Sequence, residues 1–508
     1  MKQLLAKSLI VVSFICIPSW TQLQADTGYS SLCARLGSAT PTGAGIPVSQ
    51  IEGLYYGYYL PDANHVYLAG KTFTIMSGAS GVSDHATNVG VRWYGATAMA
   101  LDVTDIHVYE ADDFLNSGFL YCLSSREPLP ENQRVQNHSY IFDTGSSSTN
   151  TDLLRRLDMF IDRDGVVTVV GTNNGVTSMP VGWSSAYNVI TVGLTNGLSS
   201  VGPTSLDTSG RVKPDVVAPS TVTSFATCYT SAAATLLLET IEGMPALNGF
   251  SRTWEQLLTK ALLMGGATKD EFTDWRQGFS REDRKDVVPL DYRYGAGEIN
   301  IDHSHRILTS GQQAPGDVLP TGWDVDKATS GVSRTYFFDI PSGSTATTLS
   351  ILATWNRKIV FTSAPDFNLN GGVDYSDVQY YLGCATGVGI APSTECTDAD
   401  LDDDNDVDLA DFSLMQRCMG KPTTARAAIC EGFSGMATLT PVLANIDLKL
   451  HQATGTTIGA EIDKSISSLD NVEHIFQQNV AAGRYAIVLT TDQDADFALT
   501  WDAILSTP

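Results

Sequence analysis

The chain has 508 residues, 43% hydrophobic and 17% charged, with 31 Lys+Arg against 56 Asp+Glu for a net charge of −25. At roughly 100–200 residues per unit, that length suggests two to four structural units, and the apolar share excludes wholesale disorder. The acidic surplus excludes nucleic acid and anionic membranes as partners, whereas carboxylates clustered at a fixed spacing would suit calcium.

In chain order, the first element is a targeting segment. Lys2 and Lys7 flank the start, an apolar stretch runs from Ser8 to Trp20, and Gln22-Leu23-Gln24-Ala25 offers a small-residue cleavage site. This is the pattern of a secretory signal peptide over residues 1–25, so the protein is expected to be secreted, extracellular or on the cell surface. No later apolar run approaches about 18 residues, and no membrane span is expected. Of the eight cysteines, Cys16 leaves with the signal, and an odd number remains in an oxidising compartment. Cys33 and Cys122 offer one pairing across the first domain, which would leave Cys228 a free thiol.

From about Ala44 to Leu308, short apolar strands alternate with longer helical segments. Val166–Val170 reads as a buried strand between Gly165 and Gly171, and Asn188–Val192 as another before Gly193. Ser224–Glu242 reads as a small-residue and leucine helix stopped at Gly243, and Trp254–Met264 as a second. Such alternation predicts an α/β layer on a parallel sheet over residues 26–312. After Gly311 the texture changes to alternating Thr/Ser-rich stretches, as in Thr348–Trp355, Ile446–Leu450, Tyr485–Leu489 and Phe497–Trp501. Period-2 alternation between turns predicts a β-sandwich, in two parts at 313–365 and 432–508.

The sandwich is interrupted at 366–431 by an internal repeat of period 34. Asp366, Asn368, Asn370, Val373, Asp374, Asp377, Cys384 and Cys396 recur as Asp400, Asp402, Asp404, Val407, Asp408, Asp411, Cys418 and Cys430. Each unit is an acidic loop followed by a short helix. Oxygen ligands at positions 1, 3, 5 and 12, with a backbone carbonyl at 7 and a water at 9, are what a hard, many-coordinate cation needs. The candidate ligands are therefore Asp366, Asn368, Asn370, Gly372 and Asp377 in the first loop, and Asp400, Asp402, Asp404, Asp406 and Asp411 in the second. Gly371 takes the sharp turn at position 6, and Asn405, the next most tolerant of left-handed geometry, takes it in the second loop. The paired DxNxDGxVDxxD loops resemble the dockerin module over about 65 residues. That resemblance implies bound Ca2+ and a cohesin-type protein partner. The equal spacing within each cysteine pair favours Cys384–Cys396 and Cys418–Cys430 bridges, although four cysteines allow three connectivities.

The residues that could do chemistry lie in the first domain. Lys213-Pro214-Asp215-Val216-Val217-Ala218-Pro219 is followed by Thr223-Ser224-Phe225-Ala226-Thr227 at the start of the small-residue helix. A serine at a helix mouth is by itself most often a plain N-cap, yet the same place suits a nucleophile whose oxyanion needs backbone N–H groups. The flanking pattern resembles the nucleophile region of subtilisin-like serine proteases, with Val222 where the family has Gly, and Cys228-Tyr229 where it has Pro-His. His85, in Ser83-Asp84-His85-Ala86-Thr87-Asn88-Val89-Gly90, resembles the family's HGTHVAG helix start. Glu52, ending Val48-Ser49-Gln50-Ile51-Glu52, takes the usual Asp position, with Asp62 and Asp84 as rivals. Asn173, after strand Val166–Val170, resembles the oxyanion-hole asparagine, with Asn174 the nearest alternative. Asn137–Tyr140 looks like the strand lining the peptide cleft, and Tyr294–Asn300 like the segment closing the domain.

The resemblance implies a subtilisin-like α/β fold and a serine endopeptidase acting on a peptide or protein substrate. His85 would deprotonate Ser224, Glu52 would orient His85, and Asn173 with the Ser224 N–H would hold the oxyanion. A second reading is a catalytically inactive subtilase-like surface or assembly protein that uses the calcium-dependent module. Residues 26–47 leave no room for the folding propeptide such proteases commonly carry, so the chain is expected to fold unaided or to be controlled some other way. No GxSxG occurs to support another serine hydrolase.

Overall fold

The computed structural model describes residues 27–124, 127–278, 286–362, 365, 367, 373–402, 404–419 and 437–506. The signal-peptide expectation over residues 1–25 lies outside them. Its first layer is a seven-stranded sheet of β1 (Val48–Glu52), β2 (Thr72–Ile75), β3 (Asp105–Glu110), β4 (Val135–His138), β5 (Val167–Gly171), β6 (Ile190–Leu194) and β7 (Val216–Ala218). The order across the sheet is β2-β3-β1-β4-β5-β6-β7, and all pairs are parallel. Covering both faces with helices explains why β1, β4, β5, β6 and β7 are buried at every residue rather than alternately.

Helices α1 (Tyr29–Leu36), α2 (Asp84–Trp93), α3 (Ala111–Leu115), α4 (Ser147–Asp164), α5 (Thr223–Glu242), α6 (Arg252–Gly265) and α7 (Ile301–Thr309) complete this part. Serine side chains cap three of them: Ser83 accepts from Ala86 N at the start of α2, Ser146 from Thr149 N at α4, and Ser251 from Trp254 N at α6. α5 differs. Its flanking residue is Val222, which supplies no side-chain cap, so its first N–H groups are left for other partners. The helix is buried almost throughout, and the run Ser231-Ala232-Ala233-Ala234 lets it pass close under β4, β5 and β6. At Gly171 the approach is so close that a Cβ would sit 2.9 Å from Thr227 Oγ1.

The second part is the expected β-sandwich. Strands β8 (Gly316–Asp317), β9 (Thr321–Ala328), β10 (Arg334–Ile340), β11 (Thr345–Trp355), β12 (Lys358–Thr362), β13 (Thr438–Val442), β14 (Ile446–Thr454), β15 (Thr457–Ser465), β16 (Val472–Val480), β17 (Gly483–Thr491) and β18 (Ala495–Ser506) follow in chain order. They form a five-stranded sheet β15-β14-β17-β10-β8, a four-stranded sheet β16-β11-β18-β9 and the pair β12-β13. Phe338, Leu349, Trp355, Leu450, Ile487 and Trp501 fill the space between the two larger sheets. The outer face of the four-stranded sheet is not free: Trp323, Val325, Leu352, Val472 and Ala498 join the core of the α/β layer under α6. A strand covered on both faces loses its alternation, which is why Leu349–Trp355 is buried at every position.

Buried charge stitches the two parts together. Arg357, just before β12, reaches Asp158 of α4 with Nη2 at 2.5 Å and Nε at 2.9 Å, and Asp207 with Nη1 at 2.6 Å. Asp470 Oδ1 accepts from Val212 N at 2.8 Å, and Asn471 Nδ2 donates to Tyr187 O at 3.0 Å. Between β12 and β13 lies the helical insert, whose described helices are α8 (Tyr375–Cys384) and α9 (Leu409–Cys418). Val373, Tyr381, Ala399, Val407 and Met415 give it a small core of its own.

The cysteines correct one expectation. Cys33 and Cys122 are both free thiols, as is Cys228. Cys33 lies on α1 beside Tyr29, whereas Cys122 packs with the separate cluster under α4, next to Asp152 and Arg156, so the two belong to different parts of the domain. Cys384 and Cys396 are bonded. The expected Cys418–Cys430 bridge lies outside the described residues.

Candidate functional site

Parallel strands carry their loops away from one edge, and open α/β sheets bind ligands at the carboxyl ends, where the strand order reverses. β1 sits at that reversal, between β3 and β4. Glu52 is its last residue and is fully buried. Ile51 lies opposite His138, so Glu52 and Ser139 leave the sheet side by side. His85 is the second residue of α2, and Ser224 the second of α5.

These elements assemble the residues singled out from sequence. Glu52 Oε2 lies 2.7 Å from His85 Nδ1. Asp62 and Asp84 make other contacts: Asp62 Oδ1 accepts from Asn64 N, and Asp84 is exposed in the first turn of α2. The opposite ring nitrogen, His85 Nε2, is buried and has no hydrogen-bond partner among the described residues. A buried polar atom left without a partner costs roughly 1–3 kcal/mol, and such atoms are expected where function needs them. Ser224 Oγ donates to Ser139 O at 3.1 Å. Ser139 Oγ in turn lies 2.9 Å from Ser224 O and 2.8 Å from Asn137 Oδ1. Cys228, one turn along α5, donates its thiol to Ser224 O at 3.0 Å, and burial pushes that thiol up to about 12.

At the uncapped mouth of α5, Thr223 N–H donates to Asn174 Oδ1 at 2.8 Å, and Thr223 Oγ1 to Thr172 O at 2.7 Å. Oδ1 is thus the end of the Asn174 carboxamide that faces the Thr223 N–H. Asn173, the residue expected from sequence to face the oxyanion, is tied through its backbone instead: its N–H donates to Ser200 Oγ at 3.2 Å, and its carbonyl accepts from Ser200 N at 3.1 Å. Among the described residues no hydrogen bond joins the Asn173 side chain to Thr223 or Ser224. Both asparagines line a cleft of about 530 Å³, together with Ile141, Phe142, Met179 and Val181. The sequence expectation gives the oxyanion role to Asn173 with Asn174 as the alternative, and it is Asn174 whose side chain meets the mouth of α5. Sequence reasoning passed over Gln50, whose Nε2 donates to Glu52 Oε1 at 2.7 Å.

The acidic repeat is a second candidate site. Of its first loop, Asp366, Asn368, Asn370 and Gly372 lie outside the described residues. Asp377 is buried and forms a capping box with Asp374 at the start of α8. In the second loop, oxygens of Asp400, Asp402 and Asp411 lie within 4.8 Å of one another, as do those of Asp406, Asp408 and Asp411. Asp400 accepts from Asp404 N at 3.3 Å and Asn405 N at 2.9 Å, Asp404 Oδ1 accepts from Asp406 N at 3.2 Å, and Asn405 adopts φ 69° at the turn. Asp411 accepts from Asp402 N and Leu401 N through Oδ1, and from Asp408 N through Oδ2. Burial, then Asp411, Asp404 and Asp400, push the Asp402 carboxyl up. Asp406 Oδ1 is buried and without a partner among the described residues. An oxygen-only donor set under mutual repulsion fits a hard divalent cation.

No protein-family model and no curated protein matches the chain. Among solved structures it is similar to the prenylagaramide maturation protease PagA, at 18% identity over 57% of this chain and 98% of that one, with a TM-score of 0.36. It is also similar to the patellamide maturation protease PatA, at 18% identity over 53% and 98% with a TM-score of 0.34. The MycP3 protease of a type VII secretion system matches at 14% identity over 55% and 87%, with a TM-score of 0.32.

Proposed function

We propose that the chain is a secreted serine endopeptidase in which Ser224 attacks a peptide carbonyl, His85 takes its proton and Glu52 orients His85. The observation that carries this reading is the imidazole itself: one nitrogen is held on a buried carboxylate, while the other is buried and without a partner among the described residues, on a helix that packs against α5, whose uncapped mouth carries Ser224. Glu52 accepts the Nδ1–H, which leaves the Nε2 lone pair as base and stabilises the imidazolium once it has taken the Ser224 proton. In the resting arrangement the Ser224 hydroxyl is donated to Ser139 O, and rotation about χ1 re-aims it. Among the described residues no acceptor takes the Ser224 N–H, so it is available to the oxyanion. Asn174 Nδ2 is the side-chain donor that joins it, in place of Asn173. Each such donor is worth roughly 2.7–4 kcal/mol in the transition state. The 530 Å³ cleft alongside offers room for a substrate side chain.

The insert is read as a calcium module, with Asp400, Asp402, Asp404, Asp411 and the Asp406 carbonyl as ligands of the second loop. Bound Ca2+ would neutralise the crowded carboxylates and hold the loop against α9. Docking to a cohesin-type partner is part of this proposal.

Labelling of the purified protein with a fluorophosphonate probe tests the activity. Ser224 is expected to react and Ser224→Ala to be inert. Absence of labelling in folded, calcium-loaded protein would refute catalysis in favour of the inactive surface or assembly protein. Chelation followed by limited proteolysis tests the insert: cleavage within 366–431 should increase, and an unchanged pattern would refute the calcium assignment.

A further inference from the structure

We infer that Gln50 is the positioning residue that allows a glutamate to orient His85. The inference rests on the reading of Ser224 and His85 as the catalytic pair. Gln50 and Glu52 are two residues apart on β1 and so project from the same face of the strand; both are fully buried. The Gln50 amide has two N–H donors and one carbonyl, and all three are engaged. Nε2 donates to Glu52 Oε1 at 2.7 Å and to Ala86 O at 2.9 Å, and Oε1 accepts from the Tyr94 hydroxyl.

The polarity of this chain has one solution. The Ala86 carbonyl can only accept, so Nε2 must face it. With Nε2 on Ala86 O, Oε1 faces the Tyr94 hydroxyl and accepts from it; burial, and then the Glu52 charge, hold the phenol well above its ordinary range, so it keeps the proton it donates. Glu52 Oε1 therefore receives an N–H, and Oε2 is left for the His85 Nδ1–H at 2.7 Å. That fixes the tautomer with the Nε2 lone pair free. Ala86 is the residue after His85, so one amide ties the strand bearing the acid to the helix bearing the base.

The tether answers a specific need. Glutamate has one more rotatable bond than aspartate, and an untethered carboxylate would sample positions off the imidazole. Gly90 makes the arrangement possible: a Cβ there would meet the Tyr94 hydroxyl at 2.7 Å, so a larger residue would drive the ring away from Gln50.

The test uses Gln50→Met, similar in volume but with no donor, and Tyr94→Phe, which removes only the hydroxyl. Gln50→Met is expected to lower kcat and the fluorophosphonate labelling rate roughly 10–100-fold with KM little changed, as loss of an orienting partner does elsewhere. Tyr94→Phe should move both in the same direction by a smaller factor, and serves if Gln50→Met does not fold. The far-downfield proton resonance of His85 Nδ1–H, read by NMR, should shift or broaden in both variants. Unchanged labelling and an unchanged resonance in folded variants would overturn the inference. If the wild type does not label at all, the catalytic reading fails, and the resonance still decides the role of Gln50: lost on substitution, it supports the tether, and unmoved, it refutes it.

Discussion

Ser224, His85 and Glu52 come from three different elements: His85 is held on Glu52, and Ser224 on Ser139 O. The asparagine turn shows how fine this control is. Asn173 and Asn174 are adjacent and chemically identical, yet only Asn174 places its carboxamide against Thr223 at the mouth of α5. Asn174→Ala is therefore expected to lower kcat roughly 10²–10³-fold, the loss seen when one oxyanion donor is removed, while Asn173→Ala, whose tie to Ser200 is through the backbone, should cost less than tenfold. Steady-state kinetics of the two single variants on one peptide decide it. The reverse ranking would return the role to Asn173.

The insert is held at its base and closed at its loops. β12 and β13 pair along Lys358–Thr362 and Thr438–Val442, and Arg155 of α4 donates to Leu439 O at 2.8 Å, so both ends of the insert are anchored on the α/β layer. In the second loop, Asp411 has two tasks: it accepts backbone N–H groups that close the loop, and it completes the capping box with Asp408 at the start of α9. Asp411→Ala should therefore remove one calcium from the binding stoichiometry measured by calorimetry. It should also destabilise α9, because the reciprocal capping-box bond from Asp408 N–H is lost. A full complement of bound calcium in that variant would refute its role as a ligand.

Across the whole molecule, the two parts share an apolar core through α6 and a polar seam through Arg357, Asp470 and Asn471, so the sandwich is bound into the α/β layer. The Asp470 carboxyl is pushed up from 3.8 to about 6, chiefly by burial, against the opposing effect of Ser467, Val212 N–H, Arg211 and Lys213. Between those two values the folded state holds a proton that the unfolded state has released, so this group makes stability fall as pH rises from about 4 to about 6. Asp470→Asn should remove that slope. Relative to wild type, it should be more stable at pH 7 than at pH 4 by on the order of 2–3 kcal/mol, by denaturant unfolding at both pH values. An equal difference at the two pH values would refute the assignment.

Much of this was legible in the chain because it is written in local pattern. The small-residue helix around Ala232–Ala234, the Gly-bounded apolar strand before Asn173 and the acidic loop with Asn405 at its turn each follow from spacing and composition. Helix-mouth serine, upstream histidine and strand-end glutamate could be named in order through the resemblance of their flanking segments to those of subtilisin-like proteases. Only the tertiary structure decided their partners. It placed Glu52 rather than Asp62 or Asp84 on His85, chose Asn174 over Asn173 for Thr223, kept Cys33 and Cys122 apart, and recruited Gln50 and Tyr94 behind the acid. The physical reason is that sequence periodicity records which face of an element is buried, whereas a hydrogen bond depends on ångström placement between elements tens of residues apart. That placement is set by close packing, as where Gly90 leaves room for the Tyr94 ring and Gly171 admits α5.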